Sequence, residues 1–237
     1  MIIGNGFTYT AQIKCDPVKA AQVPPQHIPM LSSMLKVGPI FGYVAKRDGA
    51  VMVAFRGTET PEEWLCDFEA VPTGCQLATG GTVHEGFQKV YEVVRDSAIG
   101  GAKAALSQGG QLLVTGHSLG AALALLFADD AFSSITKSVR VCTFAGPRVG
   151  LDDFVKKYNQ NLPDTARVVN RWDIVPNVPV PAPPACLYEH VQSVIAIDGG
   201  FTFDLAQAHS LPLSYLPGLK KITGQPLTMA AGAQNSP

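Results

Sequence analysis

The sequence predicts an α/β fold, a central mixed but mostly parallel sheet flanked by helices. Three observations carry this prediction. Short β-branched runs alternate with longer helix-patterned segments through the middle of the chain. A hairpin signal near residue 48 adds an antiparallel pair at one side of the sheet. The stretch Val114 to Ala128, VTGHSLGAALALLFA, leads from a buried-type strand directly into an Ala/Leu-rich helix.

The elements follow in order. Pro24-Pro25 and Pro29 break any long element near the start. Phe41 to Lys46 and Val51 to Phe55 are β-prone runs joined by Arg47-Asp48-Gly49-Ala50, where Asp-Gly suits the positive φ angles of a tight hairpin. Phe87, Val90, Tyr91, Val94 and Ala98 recur at helical spacing, which predicts a helix after His84. Gln111 to Thr115 reads as a buried strand and Leu119 to Ala131 as a helix. RVCTFA, from Arg140 to Ala145, is a further strand halted by Gly146-Pro147. A helix starts at Asp152, a strand covers Arg167 to Asn170, and the prolines from Pro176 to Pro184 mark a long extended loop. Tyr188 to Ile197 resumes strand character. The small, polar end of the chain is expected to fray from about residue 229. With 237 residues, one domain spanning 1–237 is the default.

Composition narrows the function classes. A formal net charge of −1 provides no basic footprint for nucleic acid. No apolar run is long enough for a transmembrane segment. The start, MIIGNGFTYT, lacks the basic and apolar regions of a signal peptide, so the expectation is either a cytoplasmic protein or a secreted mature domain. Cys15, Cys66, Cys75, Cys142 and Cys186 form no CxxC pair, which suggests neither a zinc site nor a redox pair, and their odd number leaves at least one thiol free. Neither a Walker lysine nor a strand-linked GxGxxG is present to bind phosphate.

The chemistry centres on Gly116-His117-Ser118-Leu119-Gly120, the G-x-S-x-G pattern. A strand-to-helix bend pushes Ser118 outward and tolerates little bulk on either side, which the glycines satisfy. The helix N-terminus aims free N–H groups at developing negative charge. A glycine-rich turn with an incidental serine would show the same local pattern, and a lone serine is a weak nucleophile, so a base and an acid must be found. Asp173 in VVNRWDIVPNVP ends a predicted strand, where an α/β sheet presents functional loops. A turn-capping aspartate is its bland alternative. Asp152, Asp153 and Asp164 read as caps or solvated loop residues, while Asp198 and Asp204 stay outside candidates. Among five histidines, His27 lies among prolines, His84 precedes the serine, and His117 should point away from it along the elbow. His209, in a loop-like setting beyond the last strand, is the favoured base, with His190 the alternative.

Together the stretches VAFRGTE, EEWLCDF, VHEGF, VTGHSLGAALA, TFAGPRVG, NRWDIVPNVP and AHSLPLSYL resemble, in order, the class 3 lipases, the fungal-type triacylglycerol lipases of the α/β-hydrolase superfamily. They cover the chain from about Phe41 to Tyr215. The resemblance implies a cofactor-free, metal-free serine hydrolase with Ser118, Asp173 and His209 as its triad. It also implies an oxyanion hole from the backbone N–H of Leu119 and from Thr58, whose own reading without it is an N-cap or turn threonine. The implied partners are an ester or acylglycerol substrate and, transiently, the lipid–water interface. Residues 59–69 are expected to form a lid helix. Thr60-Pro61-Glu62-Glu63 is a capping-box start, and Trp64, Leu65 and Phe68 fall on one face with acidic residues around the rest. An ordinary surface helix would read the same way. Rival functions are a non-lipolytic carboxylesterase acting on aryl or feruloyl esters, a phospholipase, and a catalytically dead lipid-binding module.

Overall fold

The computed structural model describes residues 2–3, 6–36, 38–58, 70–180 and 187–224. The lid expectation for 59–69, with Thr60, Trp64, Leu65 and Phe68, and the frayed tail from about 229 lie outside these residues, as do Cys66 and Cys186. Among the described residues eight strands form the main sheet: β1 (Ile2–Ile3), β2 (Phe7–Lys14), β3 (Ile40–Arg47), β4 (Ala50–Phe55), β7 (Gln111–His117), β8 (Val139–Phe144), β10 (Thr165–Asn170) and β12 (Val194–Ile197), adjacent in that order. The pairs from β1 to β4 are antiparallel, and those from β4 through β12 are parallel. This is the mixed, mostly parallel sheet that the alternation of elements predicts. Two strands between β4 and β7, β5 (Pro72–Gly74) and β6 (Thr82–His84), join β9 (Gly150–Leu151) and β11 (Tyr188–Glu189) in a small antiparallel sheet.

Residues 41–55 form the expected hairpin, and Gly49 takes the positive φ (70°) that the turn requires. The helices are α1 (Pro17–Ala20), α2 (Ile28–Lys36), α3 (Glu85–Ala105), α4 (Leu119–Ser134), α5 (Asp152–Asn161), α6 (Leu205–His209) and α7 (Leu216–Thr223). Helix α3 buries the Phe87, Val90, Tyr91, Val94 and Ala98 stripe anticipated from spacing, and the His84 side chain caps its first turn by accepting from the Phe87 N–H. Helix α4 is buried on every side from Leu119 to Ala131 because it lies among the sheet, α3 and α5. Its breaker-free Ala/Leu composition suits that position, since small side chains permit close approach. Asp130 ties α4 to α3 by accepting from the Tyr91 hydroxyl (2.9 Å) and pairing with the Arg95 guanidinium (2.5 Å).

Two readings of the sequence change here. The run Tyr188 to Ile197 is not one strand: β11 and β12 lie in different sheets. Between them His190 Nε2–H donates to the Pro176 carbonyl (2.7 Å), the Gln192 N–H donates to the Asn159 side chain (3.1 Å), and the chain turns onto β10. The N-terminal segment also holds an eight-residue strand, β2, beyond the elements expected there; FTYTAQIK alternates, with Phe7 and Ile13 buried. Proline does break the segment, yet Pro29 falls in the first turn of α2, where its missing N–H costs nothing.

Candidate active site

Strands β4, β7, β8, β10 and β12 run parallel, so their C-terminal ends share one edge of the sheet. Ser118 follows β7 there, in the turn into α4, with φ 58° and ψ −130°. That is a backbone conformation L-residues rarely adopt, and it persists only where the surroundings impose it. The surroundings do so. A Cβ on Gly116 would lie 2.1 Å from the Gly120 carbonyl oxygen, and one on Gly120 would lie 2.4 Å from that of Arg56. The glycines therefore permit a backbone crossing that no other residue allows. The Ser118 N–H donates to the Phe144 carbonyl (3.0 Å), which anchors the elbow to the next strand.

The end of β4 closes on the same turn. A Cβ on Gly57 would stand 2.9 Å from Ser118 Cβ and 2.7 Å from the His117 carbonyl oxygen. Arg56, just before it, donates to the carbonyls of Met34, Gly38 and Ile40, and so ties this strand end to the close of α2 and the start of β3. Thr58 thus follows a glycine that abuts the serine, and Leu119, fully buried, opens α4 on the other side. The first N–H groups of a helix have no acceptor within it, which leaves them available to an anion.

Asp173 follows β10 and His209 closes α6, and both are buried. His209 Nδ1–H donates to Asp173 Oδ2 (2.8 Å), while the Val175 N–H donates to Asp173 Oδ1 (2.9 Å). Ser118 Oγ and His209 Nε2 are both buried without a hydrogen-bond partner among the described residues. The structure therefore pairs Asp173 with His209 across 36 residues of chain, as the order Ser, Asp, His anticipates. One detail differs from the sequence reading: His209 ends a short helix capped by Asp204, not a loop, and Pro212 opens the π-helical turn Leu211–Tyr215 that follows.

Three further residues shape the site. The Tyr215 hydroxyl donates to Asp173 Oδ2 (2.6 Å), the same oxygen that His209 uses. Asn170 joins the two loops, donating to the Ala208 carbonyl (2.9 Å) and accepting from the Gly199 N–H (3.0 Å). His117 Nε2–H donates to the His209 backbone carbonyl (2.8 Å), with the two rings 4.6 Å apart. Burial, then the neighbouring His209, pull the His117 pKa down from 6.5 to about 4, so a neutral imidazole supports the histidine loop. No spacing in the sequence marks Tyr215 or Asn170, because their partners come from distant segments. His117 is adjacent to the serine, but nothing local shows that it reaches His209.

The competing candidates have structural partners. Burial, then Arg167, lower the His190 pKa to about 3, and its N–H is spent on the Pro176 carbonyl. His27 faces Glu85 (2.9 Å). Asp153 accepts from the Thr82 N–H and hydroxyl, and Asp152 and Asp164 pair with Lys156 and Arg140 on the surface. Among the described residues no cluster of His, Cys, Asp or Glu could hold a metal ion, and no helix is long and apolar enough to cross a membrane.

Comparison with known proteins identifies the family. The lipase (class 3) family model matches residues 52–182. The chain is 31% identical over 192 residues to secreted mono- and diacylglycerol lipase A of Penicillium cyclopium, an alignment covering 73% of this chain and 62% of that protein. It is 35% identical over 159 residues to the chloroplastic phospholipase A(1) DAD1 of Arabidopsis thaliana, covering 57% and 34% of the two chains. In three dimensions it resembles the Rhizomucor miehei lipase propeptide complex with a TM-score of 0.60 at 29% identity, over 66% of this chain and 52% of that one. A triacylglycerol lipase whose catalytic centre is formed by a serine protease triad superposes with the same TM-score at 30% identity, over 66% and 61%. The chain spans less than two thirds of the length of each of these relatives. The sheet order, the serine elbow and these matches together place the chain in the lipase (class 3) family of the α/β-hydrolase fold.

Proposed function

We propose that this chain hydrolyses the carboxylic esters of acylglycerols, triacylglycerols included, with Ser118, Asp173 and His209 as its catalytic triad. One observation carries the reading: Asp173 holds His209 through Nδ1, while His209 Nε2 and Ser118 Oγ are buried at the sheet's C-terminal edge without partners among the described residues. Such groups are costly to bury unsatisfied, and catalytic contacts often tighten only when substrate arrives. In the proposed reaction Ser118 Oγ attacks the acyl carbon as its proton passes to His209 Nε2. The Leu119 and Thr58 N–H groups hold the tetrahedral oxyanion. The carbon–alkoxy bond then breaks, and the His209 proton leaves with the alcohol. Water repeats the steps in reverse roles, freeing the fatty acid and restoring the serine. Asp173 orients the imidazole and stabilises its charged form without taking a proton.

Emulsified triacylglycerols of graded chain length should be hydrolysed by the wild-type chain, with Ser118→Ala lowering kcat by roughly 10⁴-fold or more. His209→Ala should match that loss, and the double variant should lose little beyond either single one, because the pair acts as a unit. His190→Ala should retain turnover. An organophosphate ester should label Ser118 alone. Label on Ser210, or turnover without label, would overturn the assignment. The Arabidopsis relative, named a phospholipase, favours one second reading. Acyl release from phosphatidylcholine faster than from triacylglycerol would establish that alternative, and activity confined to dissolved aryl esters would indicate a non-lipolytic esterase.

A further inference from the structure

The chain that bears the triad also carries large apolar side chains in solvent. Ile174 follows Asp173, Phe201, Phe203 and Leu205 lie between β12 and His209, and Leu213 lies just after it; their exposures run from 46% for Ile174 to 92% for Phe203. Because β7, β10 and β12 are parallel, these loops emerge on the edge where Ser118 sits. Two of these side chains, with the half-buried Trp172, set three rings in series. Trp172 meets Phe201 edge to face at 4.7 Å, and Phe201 meets Phe203 edge to face at 4.7 Å, so the ladder runs outward from beside Asp173 to the most exposed ring.

The ladder is anchored at its base by polar contacts. Asp198, at the end of β12, accepts from the Trp172 indole N–H (3.0 Å) and the Gly200 N–H (3.0 Å), and pairs with Arg171 (3.6 Å). Arg171 in turn lies over the Trp172 ring, 5.0 Å from its centroid, and Lys221 donates to the Asp198 carbonyl (3.0 Å). Two cations therefore border the aromatic ladder. Their charge is partly offset by Asp198 and by Asp204, which caps α6. Aromatic rings flanked by long cationic side chains suit the boundary between headgroups and acyl chains, where rings enter the apolar layer and cations reach phosphate.

We infer that Trp172, Phe201 and Phe203 form a docking ridge for a phospholipid surface, fixed to the acid and histidine loops. The choice of partner rests on the proposal that this chain acts on acylglycerols. Docking through this ridge would set the sheet's catalytic edge against the lipid layer, because the loop carrying Trp172 also carries Asp173. Binding is dominated by the rings, so it should occur on zwitterionic lipid and strengthen modestly with anionic lipid.

The test uses the full chain with Ser118→Ala, so that the lipid is not consumed, and flotation with phosphatidylcholine vesicles with and without one-fifth phosphatidylglycerol. Phe203→Ser should weaken partitioning about tenfold, as expected for one aromatic ring transferred from water. Phe201→Ser with Phe203→Ser should weaken it further, and Phe203→Trp should retain it. In the wild-type background, kcat/KM on a dissolved short-chain ester should be unchanged by Phe203→Ser. Equal partitioning of Phe203→Ser and its parent would overturn the inference. So would a lipid-free self-association that Phe203→Ser abolishes, since the face would then be meeting a second copy of this chain. Lack of ester hydrolysis by the wild-type chain would sink the hydrolase reading alone, because partitioning is measured without turnover.

Discussion

Asp173 Oδ2 receives two donors in a buried setting, the His209 ring N–H and the Tyr215 hydroxyl. Burial, then the Asp173 charge, push the Tyr215 pKa far above 10, so the hydroxyl keeps its proton and remains a donor. Tyr215 touches no reacting atom and acts as a positioning residue for the carboxylate. Tyr215→Phe removes one hydrogen bond to a charged group, typically about 1.5–3 kcal/mol, while Val175 and His209 still hold Asp173. The expected result is a kcat reduced on the order of tenfold with KM little changed. A change in KM alone on a dissolved ester, with kcat intact, would show that Tyr215 serves packing rather than the His209 geometry.

At the scale of elements, the crossing of β4, β7 and α4 depends on glycines whose neighbours are backbone and cannot move aside. Gly120→Ala would place Cβ 2.4 Å from the Arg56 carbonyl oxygen and 2.6 Å from that of Phe55. A clash of that kind typically costs about 1–3 kcal/mol, and occasionally more. For a chain of this size each kcal/mol corresponds to roughly 2–4 °C in Tm. Calorimetry should therefore show Tm lowered by several degrees, with activity lost as the elbow shifts. Gly100, whose Cβ would meet nothing within 4 Å, is the control: Gly100→Ala on α3 should leave Tm equal or higher. For the proposed lid, Trp64→Ala should lower activity on emulsified triacylglycerol more than on a dissolved short-chain ester. Equal losses on both substrates would refute an interface-opened lid.

At the scale of the whole molecule, three buried ionisable groups among the described residues shape the response to acid. The His117 and His190 pKa values fall from 6.5 to about 4 and about 3, mainly through burial. Each histidine thus contributes stability that is complete above about pH 6.5 and is lost as pH falls toward its folded value. Asp129 acts oppositely: burial raises its pKa from 3.8 to about 6, so its contribution is present below pH 3.8 and is lost as pH rises through 6. Two depressed histidines outweigh one raised aspartate, so Tm should fall between pH 6.5 and 4. His190→Gln keeps a donor for the Pro176 carbonyl but cannot titrate, and it should flatten that fall. An unchanged slope in the variant would remove His190 from the account.

By itself the sequence determined the α/β order, the hairpin at Asp48-Gly49, the strand-to-helix bend at Ser118 and the amphipathic stripe of α3. These are local features, encoded in side-chain periods of two and 3.6 residues and in glycine positions. The choice of His209 over His190 was only partly legible there, resting on order and resemblance. His190 lies on a strand-like run and His209 beyond the last one, and only the fold turns His209 toward Asp173 while it commits the His190 N–H to Pro176. Likewise the run from Tyr188 to Ile197 reads as one strand because β-prone residues recur along it without a proline or glycine, and its division between two sheets depends on contacts with β9 and β10. The tertiary structure alone decided the support given by Tyr215, Asn170 and His117, and the exposed ladder from Trp172 to Phe203. Each joins segments far apart in the chain, and a side chain's partner and exposure are set by what folds against it.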